Sequence, residues 1–381
     1  MLKHIELTNF RNHKHFAADL NNTSILIGLN ASGKTSVLEA ISLVSAGRSF
    51  RTDDKKNLVN LETDYARVIV YCSSLSSELE INLSENSKNS SRPSTSNDIR
   101  ELEVFIQKNP RLLMQAKDRG VKKKLSDFIG TLKSVVFSPE TIDIIRGAPA
   151  ERRRFLDIMI SQNDKQYLRA LSEYTKVRRQ RNGLLEIIKL GRSQESDLIF
   201  WDNELAKQGS IITKKRVEAI EFLNNLLTDI YKEISGQKSA KLLLTYHNSA
   251  GDNLAQKFAQ NRAREIAYGA TIYGPHRDEL EFKLNNVNMQ QFASRGELRS
   301  AILALKIGEV KFLEQESNKT TSLQEKPASP ILLLDDIFSE FDAERRGHLN
   351  RLILQCQSVI TTTDKEHLTE GIFKKAKIIE L

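Results

Sequence analysis

Residues 28–35 read Gly-Leu-Asn-Ala-Ser-Gly-Lys-Thr, a complete G-x-x-x-x-G-K-[ST] string. Few short strings limit a fold so tightly, because this one needs a strand before it and a helix behind it. Both are legible. Ser24-Ile25-Leu26-Ile27 is a short apolar run ending at Gly28, as a buried strand entering a loop is. Val37, Leu38, Ile41 and Val44 recur at helical spacing, and Gly47 stands where a C-cap glycine belongs. Glycines at 28 and 33 let the backbone turn tightly, so that the amides of Gly28, Leu29, Asn30, Ala31, Ser32 and Gly33 can face phosphate oxygens. The following helix adds its N-terminal amides and dipole. In this reading Lys34 reaches the β- and γ-phosphates of a nucleoside triphosphate and serves catalysis, while the Thr35 hydroxyl binds Mg²⁺.

A second polar site follows far down the chain. Ile331-Leu332-Leu333-Leu334 is a continuous apolar run after Pro330, ended by Asp335 and Asp336. Such a run reads as a buried parallel strand, and in open α/β sheets ligands bind at strand C-terminal ends. An acid there orders the water shell of Mg²⁺, the role assigned to Asp335. Asp336 follows directly, placed to polarise an attacking water as general base. Read alone, the pair also fits two carboxylates capping a strand-to-loop boundary. Beside a phosphate loop, the catalytic reading takes precedence.

A third segment, Ala293-Ser294-Arg295-Gly296-Glu297-Leu298-Arg299, opens a strong helix over Leu298–Leu313. Ser294 and Gly296 at a helix N-terminus suit an anion. The order phosphate loop, S-x-G-x-x-R helix, apolar strand with Asp-Asp resembles ABC ATPases of the SMC class. Further strings narrow the resemblance to the RecF family: Leu7-Thr8-Asn9-Phe10-Arg11-Asn12, Gly47-Arg48-Ser49-Phe50-Arg51, Phe137-Ser138-Pro139-Glu140 and the run from Gly147 to Asp157. Tyr273-Gly274-Pro275-His276-Arg277-Asp278, the run from Asp335 to Asp342, and Thr361-Thr362-Thr363-Asp364 complete the set. They are spread over nearly the whole chain.

The resemblance implies an α/β fold: an ABC-type ATPase head, with a mixed sheet and the phosphate loop, carrying an inserted, mainly helical lobe. It implies ATP and Mg²⁺ as cofactors. It also implies that Ser294, Gly296 and Arg299 of one copy close over the γ-phosphate held by another, so that ATP drives a homodimer. Residues Ser339 to Asp342 would be the D-loop at that seam. The expected role is slow ATP hydrolysis as a switch, with double-stranded DNA bound in the ATP state at gaps or single-strand/double-strand junctions. RecR and RecO would help it load RecA during gap repair and replication restart. Three departures bear on the chemistry. Most ABC ATPases place Glu where this chain has Asp336, whose shorter side chain suits a slow switch. The usual switch histidine has no match; Thr363-Asp364 stand near that place, and His367 is too far on. Glu140 stands near the place of the usual Q-loop glutamine.

Along the chain the head's first part is expected over 1–149, the helical lobe over 150–270 and the head's last part over 271–381. Ala150 to Gly236 is helical in character, with a break at Gly191-Arg192-Ser193. Thr271 to Phe282 is expected to be strand and hairpin, turning at Asn285-Asn286. Ser84 to Asp98 is expected to be a solvated loop or a disordered insertion, and Ser317 to Ser329 reads as a polar loop. The 57 Lys and Arg against 49 Asp and Glu leave a net charge of +8, which favours nucleic acid over membrane as partner. Lys122-Lys123-Lys124, Lys214-Lys215-Arg216 and Arg152 to Arg154 are candidate backbone contacts, although each fits a solvated helix face or a lobe anchor as well. Arg11 and Arg51 could reach phosphates of ATP or DNA, or be ordinary interface arginines. His276 reads as a structural hydrogen-bonding group. Basic residues do not interleave with aromatics as a single-strand platform requires, so duplex contact is favoured. Two cysteines without redox or metal spacing, and no apolar run of membrane length, point to the cytoplasm. One competing reading is an ATP-gated protein-interaction scaffold with little DNA binding. Another, a transporter ATPase subunit with a membrane partner, is disfavoured by the inserted lobe and the family strings.

Overall fold

In a computed structural model the phosphate-loop string does join a strand to a helix. The described residues are 1–73, 99–251, 253–315, 329–363 and 370–381. In chain order the main elements begin with β1 Leu2–Phe10, β2 His13–Asp19, β3 Thr23–Ile27, α1 Lys34–Ala46, β4 Tyr65–Ser73 and β5 Ile99–Gln107. Next come β6 Leu113–Asp118, β7 Val121–Lys123, β8 Ser134–Phe137, α2 Pro149–Asn163, α3 Lys165–Lys189 and α4 Leu198–Ser235. Then follow β9 Leu242–His247, α5 Leu254–Tyr268, β10 Glu279–Leu284, β11 Val287–Asn288 and α6 Arg295–Gln315. The chain closes with β12 Ile331–Asp335, α7 Ala343–Gln355, β13 Ser358–Thr362 and β14 Lys377–Glu380. The polar stretch Ser84 to Asp98 lies outside the described residues, as do residues 317–328 of the second polar loop.

The chain divides into two compact units, residues 1–141 with 309–381, and residues 142–308. The first carries two sheets. One is parallel, in the order β14-β3-β13-β12-β8; the other pairs β2-β1-β4-β5-β6-β7, with every pair antiparallel. Short turns let neighbours in sequence pair antiparallel, whereas parallel neighbours need long crossovers, and the two kinds of strand separate accordingly. Helix α1 is apolar on nearly every side and is buried almost throughout. Its Val37, Leu38 and Ile41 share one core with Leu7 of β1, Val68 of β4, Leu333 of β12 and Val359 of β13. Both sheets thus meet the helix that follows the phosphate loop. Gly47 ends that helix at φ +67, as its position predicts.

The second unit is mainly helical, and its long helices α3 and α4 run antiparallel. Leu185 packs with Leu198, Arg181 binds Asp202, and a Cβ on Gly209 would lie 3.4 Å from Tyr174, so partners descend one helix as they ascend the other. The break expected at 191–193 is present, since α3 ends at Lys189 and Gly191 has φ +69. This core holds charge. Arg181 is fully buried and donates to Asp202 Oδ1 at 2.7 Å, Thr271 Oγ1 at 2.8 Å and Glu265 Oε2 at 2.5 Å, with the Phe258 ring 4.4 Å from its guanidinium. Arg216 donates to Asp157 Oδ1 at 2.8 Å, the Pro275 carbonyl at 2.7 Å and Tyr167 Oη at 3.1 Å. Burial of such ions is tolerated only because every guanidinium nitrogen finds an acceptor.

Two expectations change here. Residues 271–278 are a loop, and the strand begins only at Glu279; Gly274 at φ +124 and the following Pro275 interrupt the alternation that Thr271, Ile272 and Tyr273 suggest. A division at 270/271 would cut a sheet, because β9 and β10 pair from Glu279↔His247 through Leu284↔Leu242. The compact unit runs instead from Ile142 to Gly308. The hairpin turn at Asn285-Asn286 is present, both residues adopting positive φ.

Candidate nucleotide site

Within the first unit, β3, β13 and β12 lie side by side, so the phosphate loop after β3 and the acids after β12 flank the end of β13. A cleft of about 850 Å³ opens there, lined among others by Lys34, Thr35, Arg51, Glu140, Asp335 and Asp336. The size falls within the range of small-molecule sites. Thr35 Oγ1 donates to Asp335 Oδ1 at 2.8 Å, which brings together the two residues assigned to Mg²⁺. Lys34 Nζ donates to the carbonyls of Gly28 at 2.6 Å and Leu29 at 2.8 Å, so the ammonium is held at the loop. Gly33 has φ +105, and a Cβ there would collide with the His13 ring. At Gly28 a Cβ would lie 2.6 Å from the Leu381 carbonyl and 2.8 Å from Ser32 Oγ. Both loop glycines are therefore required, one by dihedral and contact and the other by contact alone.

Asp335 is 8% exposed, and burial pushes its carboxyl above the usual range, helped by the negative charge of Glu140. Hydrogen bonds from Thr361 and Thr35 and the charge of Arg51 act the other way. Thr361 Oγ1 donates to the same Oδ1 at 2.7 Å. Among the described residues, Oδ2 receives no hydrogen bond. Asp336 has φ +48 and ψ +29, a left-handed conformation uncommon for a residue with a side chain. The donor set fits a nucleoside triphosphate with a divalent ion: a lysine, a half-exposed arginine, a glycine-turned loop at a helix N-terminus, and a buried carboxylate with an uncommitted oxygen.

Sequence reasoning missed a layer behind the loop. Asn12 Nδ2 donates to the Ala31 carbonyl at 3.3 Å, its Oδ1 accepts from Ser36 Oγ at 3.2 Å, and His13 Nε2 lies 3.1 Å from the Gly33 carbonyl. The turn between β1 and β2 thus braces the loop. Fully buried Glu39, on α1, accepts from Arg11 Nε at 2.8 Å and from Arg11 Nη2 at 2.6 Å, and also from the Ser49 hydroxyl. Arg51 Nη1 stands 3.7 Å from it. Arg11 is thereby a tied residue, while Arg51 faces the cleft. The only sequence signal was that Arg11, Asn12, Ser49 and Arg51 all fall in the family strings.

Ser294, Gly296 and Arg299 belong to the second unit up to Gly308. There Ser294 N donates to Glu297 Oε2 at 2.8 Å and Glu297 N donates to Ser294 Oγ at 3.3 Å, a reciprocal capping pair at the start of α6. Arg152 is buried and bound to Glu279, with Nε to Oε1 at 2.6 Å. Together with buried Arg216 it leaves the set of candidate DNA contacts, whereas Lys122, Lys123, Lys124 and Lys214 are exposed. His276 is structural as expected, 2.7 Å from Tyr174 Oη and 3.1 Å from the Thr271 carbonyl. Asp364 and His367 lie outside the described residues.

No helix among the described residues is long and apolar enough to cross a membrane. The family described as RecF/RecN/SMC N terminal domain matches residues 1–379. A protein of Agathobacter rectalis called DNA replication and repair protein RecF is 32% identical over 385 residues, covering 100% of this chain and 97% of its own. One of the same name from Chloroflexus aurantiacus is 35% identical over 388 residues, covering 95% and 93%. The solved structure of the recombination mediator protein RecF-ATP in the RecFOR pathway superposes with a TM-score of 0.82 at 32% identity, over 97% of this chain and 93% of that one. The Smc head domain of Pyrococcus furiosus, with a TM-score of 0.51 at 16% identity, covers 100% of this chain and 92% of that one and shares the fold. Phosphate loop, acid pair, fold and full-length likeness agree: the chain belongs to the RecF family, within the wider RecF/RecN/SMC group of ABC-type ATPases.

Proposed function

We propose that the chain binds ATP with Mg²⁺ in this cleft and uses it as a switch that controls a grip on duplex DNA. The observation that carries this reading is the 2.8 Å bond between Thr35 and Asp335, beside Lys34 at the mouth of a glycine-turned loop. Bound Mg²⁺ supplies charge neutralisation for the phosphates. Lys34 and the loop amides orient the triphosphate, Thr35 and Asp335 hold the ion or its water shell, and Asp336 takes a proton from the attacking water. Asp336 is one carbon shorter than Glu, which suits slow turnover. In the dimer, Ser294, Gly296 and Arg299 of one copy meet the γ-phosphate held by the other. The names of the full-length relatives support a role in DNA replication and repair, and the RecFOR likeness supports work with RecR and RecO to load RecA at gaps. A net charge of +8 suits a duplex backbone.

Sedimentation with and without ATP, on gapped and plain duplex across a salt series, tests this. Wild type should dimerise and bind DNA only with ATP, and affinity should fall steeply with salt. Ser294→Arg should keep nucleotide binding and lose the dimer. Asp336→Asn should retain an ATP-bound dimer on DNA. A Ser294→Arg protein that dimerises normally sinks the trans closure, and salt-insensitive or absent DNA binding favours a protein scaffold.

A further inference from the structure

Thr361 belongs to a family string that the nucleotide reading leaves without a task. It stands at the end of β13, the strand between β3 and β12, and is 1% exposed. The parallel ladder pairs it with Asp335 on one side and Leu26 on the other, so its place is fixed by both neighbours. Its hydroxyl donates to Asp335 Oδ1 at 2.7 Å and accepts from the Asp336 amide at 3.1 Å. The same amide lies 3.3 Å from the Thr361 carbonyl. One residue therefore holds the side chain of the first acid and the backbone of the second.

The choice of oxygen matters. Both threonines, Thr35 and Thr361, donate to Oδ1. Two donors on one oxygen fix the rotation of the carboxylate, and Oδ2 is the oxygen left for a ligand. The Asp336 amide bond sits where the backbone turns left-handed at φ +48, a conformation that needs outside support. A hydroxyl is the group that serves both ends, since it donates one hydrogen bond and accepts others.

We infer that Thr361 is a positioning residue for the acid pair: its single hydroxyl aims Asp335 at the divalent ion and pins the turn that carries Asp336. This rests on the nucleotide reading of the cleft. Thr361 lines the back of the cleft, and in this role it acts through the two aspartates it binds.

The test uses the full-length chain and a fluorescent ATP analogue, with binding read as Mg²⁺ is titrated, alongside steady-state hydrolysis. Thr361→Val keeps the shape and removes the hydroxyl. It should raise the Mg²⁺ midpoint and lower kcat, each by about 10- to 100-fold, with analogue binding in EDTA unchanged. Thr361→Ser keeps the hydroxyl and should restore both to near wild type. A Val variant with the wild-type midpoint overturns the inference. So does a Ser variant as impaired as Val, which would assign the effect to the methyl group. If the Val protein does not fold, Thr361→Ala replaces it in the comparison, and an Ala midpoint equal to that of Ser overturns the inference equally. A wild type that shows no Mg²⁺-dependent analogue binding would instead bring down the nucleotide reading itself.

Discussion

The cleft of the first unit and the interior of the second both gather arginines and carboxylates, and they finish them differently. In the helical unit, Arg181 has carboxylates, a hydroxyl and an aromatic face on it, so that each of its nitrogens is partnered and none of it is exposed. In the cleft, Arg11 occupies both oxygens of Glu39, so Arg51 at 3.7 Å is a surplus cation. Asp335 likewise has two donors on one oxygen and none from the described residues on the other. Unspent bonding capacity, and not the presence of charge, separates a site for ligands from an internal brace.

The contrast breaks most visibly at Arg216. Replacing it with Met takes the charged partner from the partly buried Asp157, which keeps only the Tyr167 hydroxyl among the described residues, and should cost about 3 kcal/mol in chemical unfolding. Nucleotide affinity should stay at the wild-type value; if it fell in step, brace and site would not be separable. Lys34→Ala should do the reverse. ATP binding should weaken by about 100-fold, or ~2.7 kcal/mol, while the unfolding midpoint holds still. A calorimetric titration beside a melt reads both. The third effect appears only in acid. Burial, with the charges of nearby arginines, lowers His276 from its ordinary value of 6.5 to about 3, against the opposing bond to the Thr271 carbonyl. Folded protein keeps this ring neutral while the unfolded chain takes up a proton. Its contribution is therefore whole above pH 6.5 and declines as pH falls toward 3. His276→Gln should flatten that part of the stability-against-pH curve. An unchanged slope would show that the ring is not a brace.

How much of this was legible depended on distance along the chain. The phosphate loop is contiguous, so its chemistry and its strand and helix could be read from Ser24 to Gly47. The acid pair was equally plain, because four apolar residues announce a buried strand before Asp335. Thr361 was legible only as part of a string, since its partner is set by strand register, which no local pattern encodes. Glu39 carries no local signal in the sequence; its burial follows from the arginine and serine that reach it from separate loops. Arg152 and Arg216 sat in basic runs that read as candidate DNA contacts, yet carboxylates at 279 and 157 draw them inward. The loop at 271–278 was misread because β-branched and aromatic residues precede the glycine that bends it.

The order of the parallel sheet also has a consequence for synthesis. The strand that feeds the phosphate loop has β13 and β14 as its neighbours, and both come from beyond residue 357. Emerging early from the ribosome, residues 23–27 must wait for almost the entire polypeptide before either flank is covered. Helical segments between 149 and 235 can fold locally in the meantime. The ATP pocket is thus among the last parts of the molecule to mature, and a nascent chain halted midway has the helices without the means to hold nucleotide.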